Sequence, residues 1–391
     1  MKNLINHFIL LLLFSLFFYS CTKTELENLN STKDENVTLE LAIKIAENYS
    51  KEPAFLGVLN KSDLLKKSQE RKVKETKTFK DSDSIPAFYV IQFEPVGFII
   101  ISANMEDSPI LAFSEINKFY VHPNNAGLRE WMEYRKQKSK KLRDDKTNVV
   151  PEDIERQWDA VAPPEDEEIT VWNTVEVQKG PFLATIWDQG AGYNDQAPYM
   201  SCTSTGNGRA WTGCVATAIA QIMKYWEFPS TYNWSRMPND TWSTETAILM
   251  RDIGTYIDMV YGCDASTAFT SEARNVLVNN YGYSNSASYI AYDINLVVAD
   301  LNHQRPLIFR GTGTFGGHAW VCEGYRRNKT ALIHNPGTIY EYETDVTYSS
   351  LYLYMNWGWG GTSNSWYLYN DFTPSVYDFN SGRSMIYNIH P

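Results

Sequence analysis

The chain has 391 residues, 43% of them hydrophobic and 21% charged, with a formal charge of −11. That length supports two domains with cores of their own. Residues 161–391 hold 22 acidic and 12 basic side chains, a balance that excludes a phosphate-binding face and with it nucleic acid as the partner.

Residues 1–20 read as an export signal. Lys2 gives a basic start, and the apolar run 8–18 is too short to span a membrane. Phe18-Tyr19-Ser20-Cys21 resembles a bacterial lipobox, which makes Cys21 the expected site of a diacyl anchor; an ordinary cleaved signal is the alternative. Residues 21–37 then form a lipidated tether. The expectation is an exported protein, held at the cell envelope by lipid or released after processing.

Residues 38–150 read as a small α+β domain. A helix is expected over 38–49. Residues 61–80 are Lys-rich and read as a solvated segment. Phe88-Tyr89-Val90-Ile91 and Phe98-Ile99-Ile100-Ile101, separated by Glu94-Pro95-Val96-Gly97, predict a hairpin. Residues 110–119 add a strand and 128–146 a polar helix. Residues 151–179 read as an exposed linker around Pro163-Pro164-Glu165-Asp166-Glu167-Glu168, open to proteolysis.

In residues 180–391, helices come first (214–226, 244–261, 271–280) and strands follow (306–309, 319–325, 331–334, 349–356). This order predicts an α+β fold with a helix packed on an antiparallel sheet. In the first helix Val215, Ile219, Ile222 and Met223 share a face, and Thr212 is the expected N-cap. Cys214 falls in its first turn, where unpaired N–H groups and the helix dipole favour a thiolate nucleophile. A buried structural cysteine is the competing reading.

A cysteine nucleophile needs a base. Of six histidines, His318 stands out in Gly316-Gly317-His318-Ala319-Trp320, where two glycines let a substrate approach the mouth of an apolar strand. Asn356 precedes Trp357-Gly358-Trp359-Gly360-Gly361. Its amide can orient the imidazole, with Trp357 shielding the pair and Trp359 walling the cleft. Gln189, 25 residues before Cys214, can join the Cys214 N–H in an oxyanion hole. The remaining cysteines, Cys21, Cys202, Cys263 and Cys322, show no CxxC spacing. With Cys21 lipidated and Cys214 free, at most one disulfide remains, its pairing open. No metal or cofactor is required.

The order Gln, Cys, His, Asn is papain-like, although His318 follows Cys214 by only 104 residues and Asn356 by 142. Gly213 to Tyr225, Gly317-His318-Ala319, Asn356 to Gly361 and Trp187-Asp188-Gln189 resemble the motifs of the streptopain family of bacterial cysteine peptidases. The hairpin and Ile110-Leu111-Ala112-Phe113-Ser114 resemble that family's inhibitory propeptide. The resemblance implies a papain-like fold and a secreted zymogen inhibited by its own propeptide. It also implies endopeptidase activity on protein or peptide substrates, with a hydrophobic side chain bound two residues before the cut. Tyr354, Met355, Ala197 and Asn104 depart from the family pattern, which bears on substrate preference and propeptide affinity. The alternative function is a catalytically silent surface-binding lipoprotein on a peptidase fold.

Overall fold

A computed structural model describes residues 36–57, 71–123, 125–145, 147, 149–162, 169–313, 316–334, 342–369 and 383–391. Cys21, the export signal and the acidic run 163–168 lie outside the described residues.

The N-terminal part opens with helix α1 (Leu39–Tyr49), capped by Thr38, whose hydroxyl accepts from Leu41 N. Its buried face is Ala42, Ile45, Ala46 and Tyr49. A short turn of helix, α2 (Pro53–Leu56), follows. Strands β1 (Lys72–Lys80), β2 (Pro86–Glu94), β3 (Phe98–Ser102) and β4 (Ile110–Ser114) then form an antiparallel meander. The expected hairpin is β2–β3, closed by Phe93 N donating to Gly97 O at 2.9 Å. Gly97 has φ +113°, a conformation open to glycine. The Lys-rich segment, in contrast, contains a strand. Among the described residues, those from 72 to 80 pair on one side only, with β2, and lysines suit such an edge because they discourage further pairing. Helix α3 (Ala126–Asp144) completes this part, capped by Asn125.

The linker is more ordered than its composition predicts. Residues 152–161 form helix α4 (Glu152–Val161), whose Trp158 is buried and donates its indole N–H to Asp107 O at 2.8 Å. Strand β5 (Ile169–Lys179) pairs along the next part of the chain with β10. A single buried face of Gln157, Trp158 and Ala160 outweighs the acidic character of 152–161.

The remaining elements are β6 (Tyr199–Cys202), β7 (Gly208–Arg209), α5 (Cys214–Trp226), α6 (Thr244–Tyr256), α7 (Thr270–Asn275), β8 (Ser288–Ala291), α8 (Ile294–Asn302), β9 (Leu307–Gly313), β10 (Gly316–His334), β11 (Tyr342–Asn356), β12 (Ser365–Leu368) and β13 (Ser384–Tyr387). The predicted strands at 319–325 and 331–334 are one long strand, β10. The sheet order is β1-β2-β3-β4-β12-β11-β10-β9-β13-β8, with β5 also on β10. Every ladder named is antiparallel, as expected. The two parts of the chain therefore share one sheet, joined where β4 meets β12 with Trp366 opposite Phe113 and Tyr367 opposite Ala112.

Both faces of that sheet are covered. On one, α5 lays Val215, Ile219, Ile222 and Met223 against Ile308, Ala319, Val321 and Ile386. On the other, Phe309, Trp320, Leu353 and Met355 meet Phe88, Phe98, Leu128 and Trp131 from the N-terminal part. Alternation along β10 thus sends Ala319 and Val321 one way and Trp320 and Cys322 the other. That arrangement brings the start of α5 beside His318.

Candidate active site

Cys214 is the first residue of α5, and the cap is Gly213 rather than Thr212. Gly213 has φ +91° and packs so closely that a Cβ there would lie 2.8 Å from Met259 Sδ and Cε. A threonine cap would need its hydroxyl free. That of Thr212 instead lies 3.2 Å from Thr217 Oγ1 and 3.4 Å from Gln189 O. The thiol is half-buried, and Ala319 N donates to Sγ at 3.4 Å. Burial raises the Cys214 pKa, while the N–H groups of Ala319, Val215 and Cys214 lower it.

His318 is buried on β10. Its Nε2 lies 3.0 Å from the Trp357 carbonyl oxygen. A carbonyl only accepts, so Nε2 carries the hydrogen and the neutral ring keeps its lone pair on Nδ1. The ring is nearly parallel to Trp320 at 6.0 Å and to Trp359 at 6.3 Å. Burial lowers its pKa to about 4, opposed by the bond to Trp357.

Asn356 differs from its expected role. Its Nδ2 donates to Thr185 O at 2.9 Å and Glu323 Oε1 at 3.1 Å, and its Oδ1 accepts from Gln221 Nε2 and Gly358 N, both at 3.3 Å. The group that holds the imidazole is the main-chain carbonyl of the next residue. Trp357 is 1% exposed, packs on Trp320 at 5.0 Å and lies 6.3 Å from the His318 ring, and its carbonyl oxygen is that ring's acceptor.

Gln189 is buried, and its backbone O accepts from Thr212 N at 3.1 Å, tying its loop to the entry of α5. Its Nε2 lies 3.4 Å from Gly358 O, which leaves its second amide hydrogen for another acceptor. A cavity of about 890 Å³ is lined by Cys214, His318, Gln189, Gly316, Gly317 and Trp359, together with Val215, Ile257, Val260 and Phe269. The structure therefore gathers the sequence-predicted set in one cleft, with Asn356 behind it. Trp211 and Arg129 also line the cleft, and His122 stacks on Trp359 at 4.2 Å. His122 and Arg129 carried no signal in the sequence, because nothing local shows that their loop and helix reach Cys214. Gln221 did carry one: it sits seven residues after Cys214, on the same helical face, amid apolar neighbours.

Cys202 and Cys263 form a disulfide; Cys322 is free and buried. Among the described residues no group of three or more His, Cys, Asp or Glu side chains is placed to hold a metal ion.

A helix-borne cysteine and a strand-borne histidine on one cleft, in an α+β fold whose sheet continues into an N-terminal domain, define a papain-like cysteine peptidase with its propeptide in place. Residues 187–231 and 230–367 match the peptidase C10 family, and residues 34–139 match the Spi protease inhibitor. Streptopain of Streptococcus pyogenes is 23% identical over 367 residues, spanning 78% of this chain and 80% of streptopain. Thiol protease/hemagglutinin PrtT of Porphyromonas gingivalis is 24% identical over 320 residues, covering 72% of this chain; the chain spans 33% of PrtT. The fold is similar to that of a Prevotella intermedia prointerpain A fragment (TM-score 0.58, 22% identity, 82% of this chain and 99% of the fragment). The chain belongs to the streptopain family of cysteine peptidases and carries that family's inhibitory propeptide domain.

Proposed function

We propose that the chain is an exported zymogen of a cysteine endopeptidase, anchored by a diacylated Cys21, with residues 38–150 as intramolecular inhibitor and 151–179 as the activation segment. In the reaction, His318 Nδ1 takes the Cys214 proton and the sulfur attacks a peptide carbonyl. The Cys214 N–H and Gln189 Nε2 stabilise the oxyanion. His318 then returns the proton to the leaving amine, and water releases the acyl group. Val215, Ile257, Val260 and Phe269 give the cleft an apolar wall suited to a hydrophobic substrate side chain.

The observation that carries this reading is the tautomer: His318 Nε2 is committed to Trp357 O, leaving Nδ1 as the base on the cleft shared with Cys214. The test is casein hydrolysis by the full chain in detergent, before and after limited trypsin. Activity blocked by the Cys-directed epoxide E-64 and absent from Cys214→Ala supports the reading. Wild-type hydrolysis by Cys214→Ala would sink it, and an inert chain after trypsin would favour the binding-protein alternative.

A further inference from the structure

Behind His318 lies a buried carboxyl group for which the mechanism above has no use. Glu323 is 1% exposed and stands five residues after His318 on β10. Cys322 pairs with Met355 and Gly324 with Tyr354, so Glu323 is the extra residue of a β-bulge. Bulges re-aim side chains and are common beside active sites. Here Glu323 Oε1 accepts from Asn356 Nδ2 at 3.1 Å and Oε2 from Leu183 N at 2.5 Å. Its main-chain O accepts from Phe182 N at 3.1 Å. The bulge is also held from outside, since a Cβ on Gly180 would lie 2.3 Å from Glu323 O.

From Asn356 the chain of bonds reaches each part of the site. Gln221 on α5 donates to Asn356 Oδ1 and accepts from Trp187 N at 3.2 Å, two residues before Gln189. Gly358 N donates to the same Oδ1. The residue between, Trp357, has its N–H on Asn364 Oδ1 at 3.0 Å and its carbonyl on His318. The acceptor that orients the base is therefore fixed by its neighbours, and they by Glu323. A buried carboxyl group costs stability unless its bonds are made, and these donors make them. Burial pushes its pKa up to about 8, against the pull of Leu183 N–H and the Asn356 amide.

We propose that Glu323 is a positioning residue for peptide hydrolysis, holding Asn356 and through it the Trp357 carbonyl that orients His318. The proposal rests on the peptidase reading above. It touches no substrate, so its loss should act on turnover rather than on binding. A glutamine at this site keeps one acceptor but turns an N–H₂ toward a donor, so it should fall between wild type and alanine.

The test compares wild type, Glu323→Gln and Glu323→Ala after limited trypsin, by casein-peptide kinetics and by the pH dependence of Cys214 alkylation with iodoacetamide. Glu323→Ala should lose about 100-fold in kcat with KM within threefold, the lower end of what a positioned acid–base group contributes. It should also alkylate at least tenfold more slowly than wild type at pH 6, yet equally at pH 10, where the thiolate forms unaided. Glu323→Gln should be intermediate in both. Wild-type kcat and an unchanged alkylation profile in both variants would overturn the proposal, as would a loss expressed in KM alone. If Glu323→Ala does not fold, Glu323→Gln decides by the same two readouts. Wild type failing to cut casein would refute the peptidase reading instead, and the alkylation ratio would still judge Glu323. A wild type with no reactivity at pH 6 would overturn both.

Discussion

His122 lies flat on Trp359, ring centroids 4.2 Å apart and 16° from parallel, while His318 lies parallel to the same indole at 6.3 Å. One tryptophan thus contacts a histidine of the propeptide and the proposed base of the peptidase. Burial lowers the His122 pKa; Asp188 opposes this and Arg129 adds to it. A base with a depressed pKa in the docked state binds more protons once released, so docking is fully favoured above the free histidine range and weakens as pH falls through it. Trypsin-triggered release of the propeptide should therefore be severalfold faster at pH 5 than at pH 7.5. His122→Phe, which keeps a flat ring without a titrating nitrogen, should flatten that dependence. Chain mass against time at the two pH values checks this.

Arg326 joins the two domains at a second point, far from the thiol. It is 1% exposed, lies 4.3 Å over Trp366 and 5.4 Å over Phe113, and ion-pairs with Glu115 at 3.1 Å. It also donates to Ala54 O at 2.9 Å and to Gln178 Oε1 at 2.7 Å. Breaking a buried pair by removing one partner costs about 3–5 kcal/mol. Arg326→Met should lower the zymogen's melting temperature and speed propeptide loss, while the kcat/KM of the processed enzyme stays within about twofold. A zymogen as stable as wild type would show that the apolar contacts alone hold the propeptide.

Gly213 sets where the sulfur lies. At φ +91° an alanine is strained by about 1–2 kcal/mol, and its Cβ would meet Met259 at 2.8 Å and Ser266 O at 3.2 Å. Gly213→Ala should destabilise the chain by roughly 2 kcal/mol and cut kcat/KM at least tenfold, because α5 must shift to admit the methyl group. Denaturant unfolding and peptide kinetics measure the two effects separately.

The sequence made legible those parts of the fold and site whose signals are local. The 3.6-residue pattern of α5 and the glycines before His318 located the cysteine and histidine, and the apolar runs of β2 and β3 located the hairpin. What it hid depends on contacts distant in the chain. Strand β1 is Lys-rich because it is an edge, and β5 follows an acidic run yet pairs with β10 over its length. Glu323 and Arg326 look like surface residues of a strand until the bulge and the propeptide bury them. Asn356 bonds to Thr185, Glu323, Gln221 and Gly358 while the Trp357 carbonyl holds the imidazole, and a carbonyl acceptor leaves no trace in residue type. The string Val321-Cys322-Glu323-Gly324 did hold a usable hint, a lone acid within an apolar run.

The thiol itself supplies a pH test of the docked state. Burial raises the Cys214 pKa in the zymogen and depresses that of His318 to about 4. Both shifts favour the neutral pair over thiolate and imidazolium. With the propeptide in place, iodoacetamide should therefore label Cys214 appreciably only above the ordinary thiol range, about pH 8.5. Removing Arg129 and His122 from the cleft admits water and relieves the burial that raises the Cys214 pKa and lowers that of His318. Processing should therefore open a labelling shoulder near pH 6. His318→Ala should abolish the shoulder while leaving the alkaline limb. Identical profiles before and after processing would mean that the propeptide blocks substrate without altering the nucleophile.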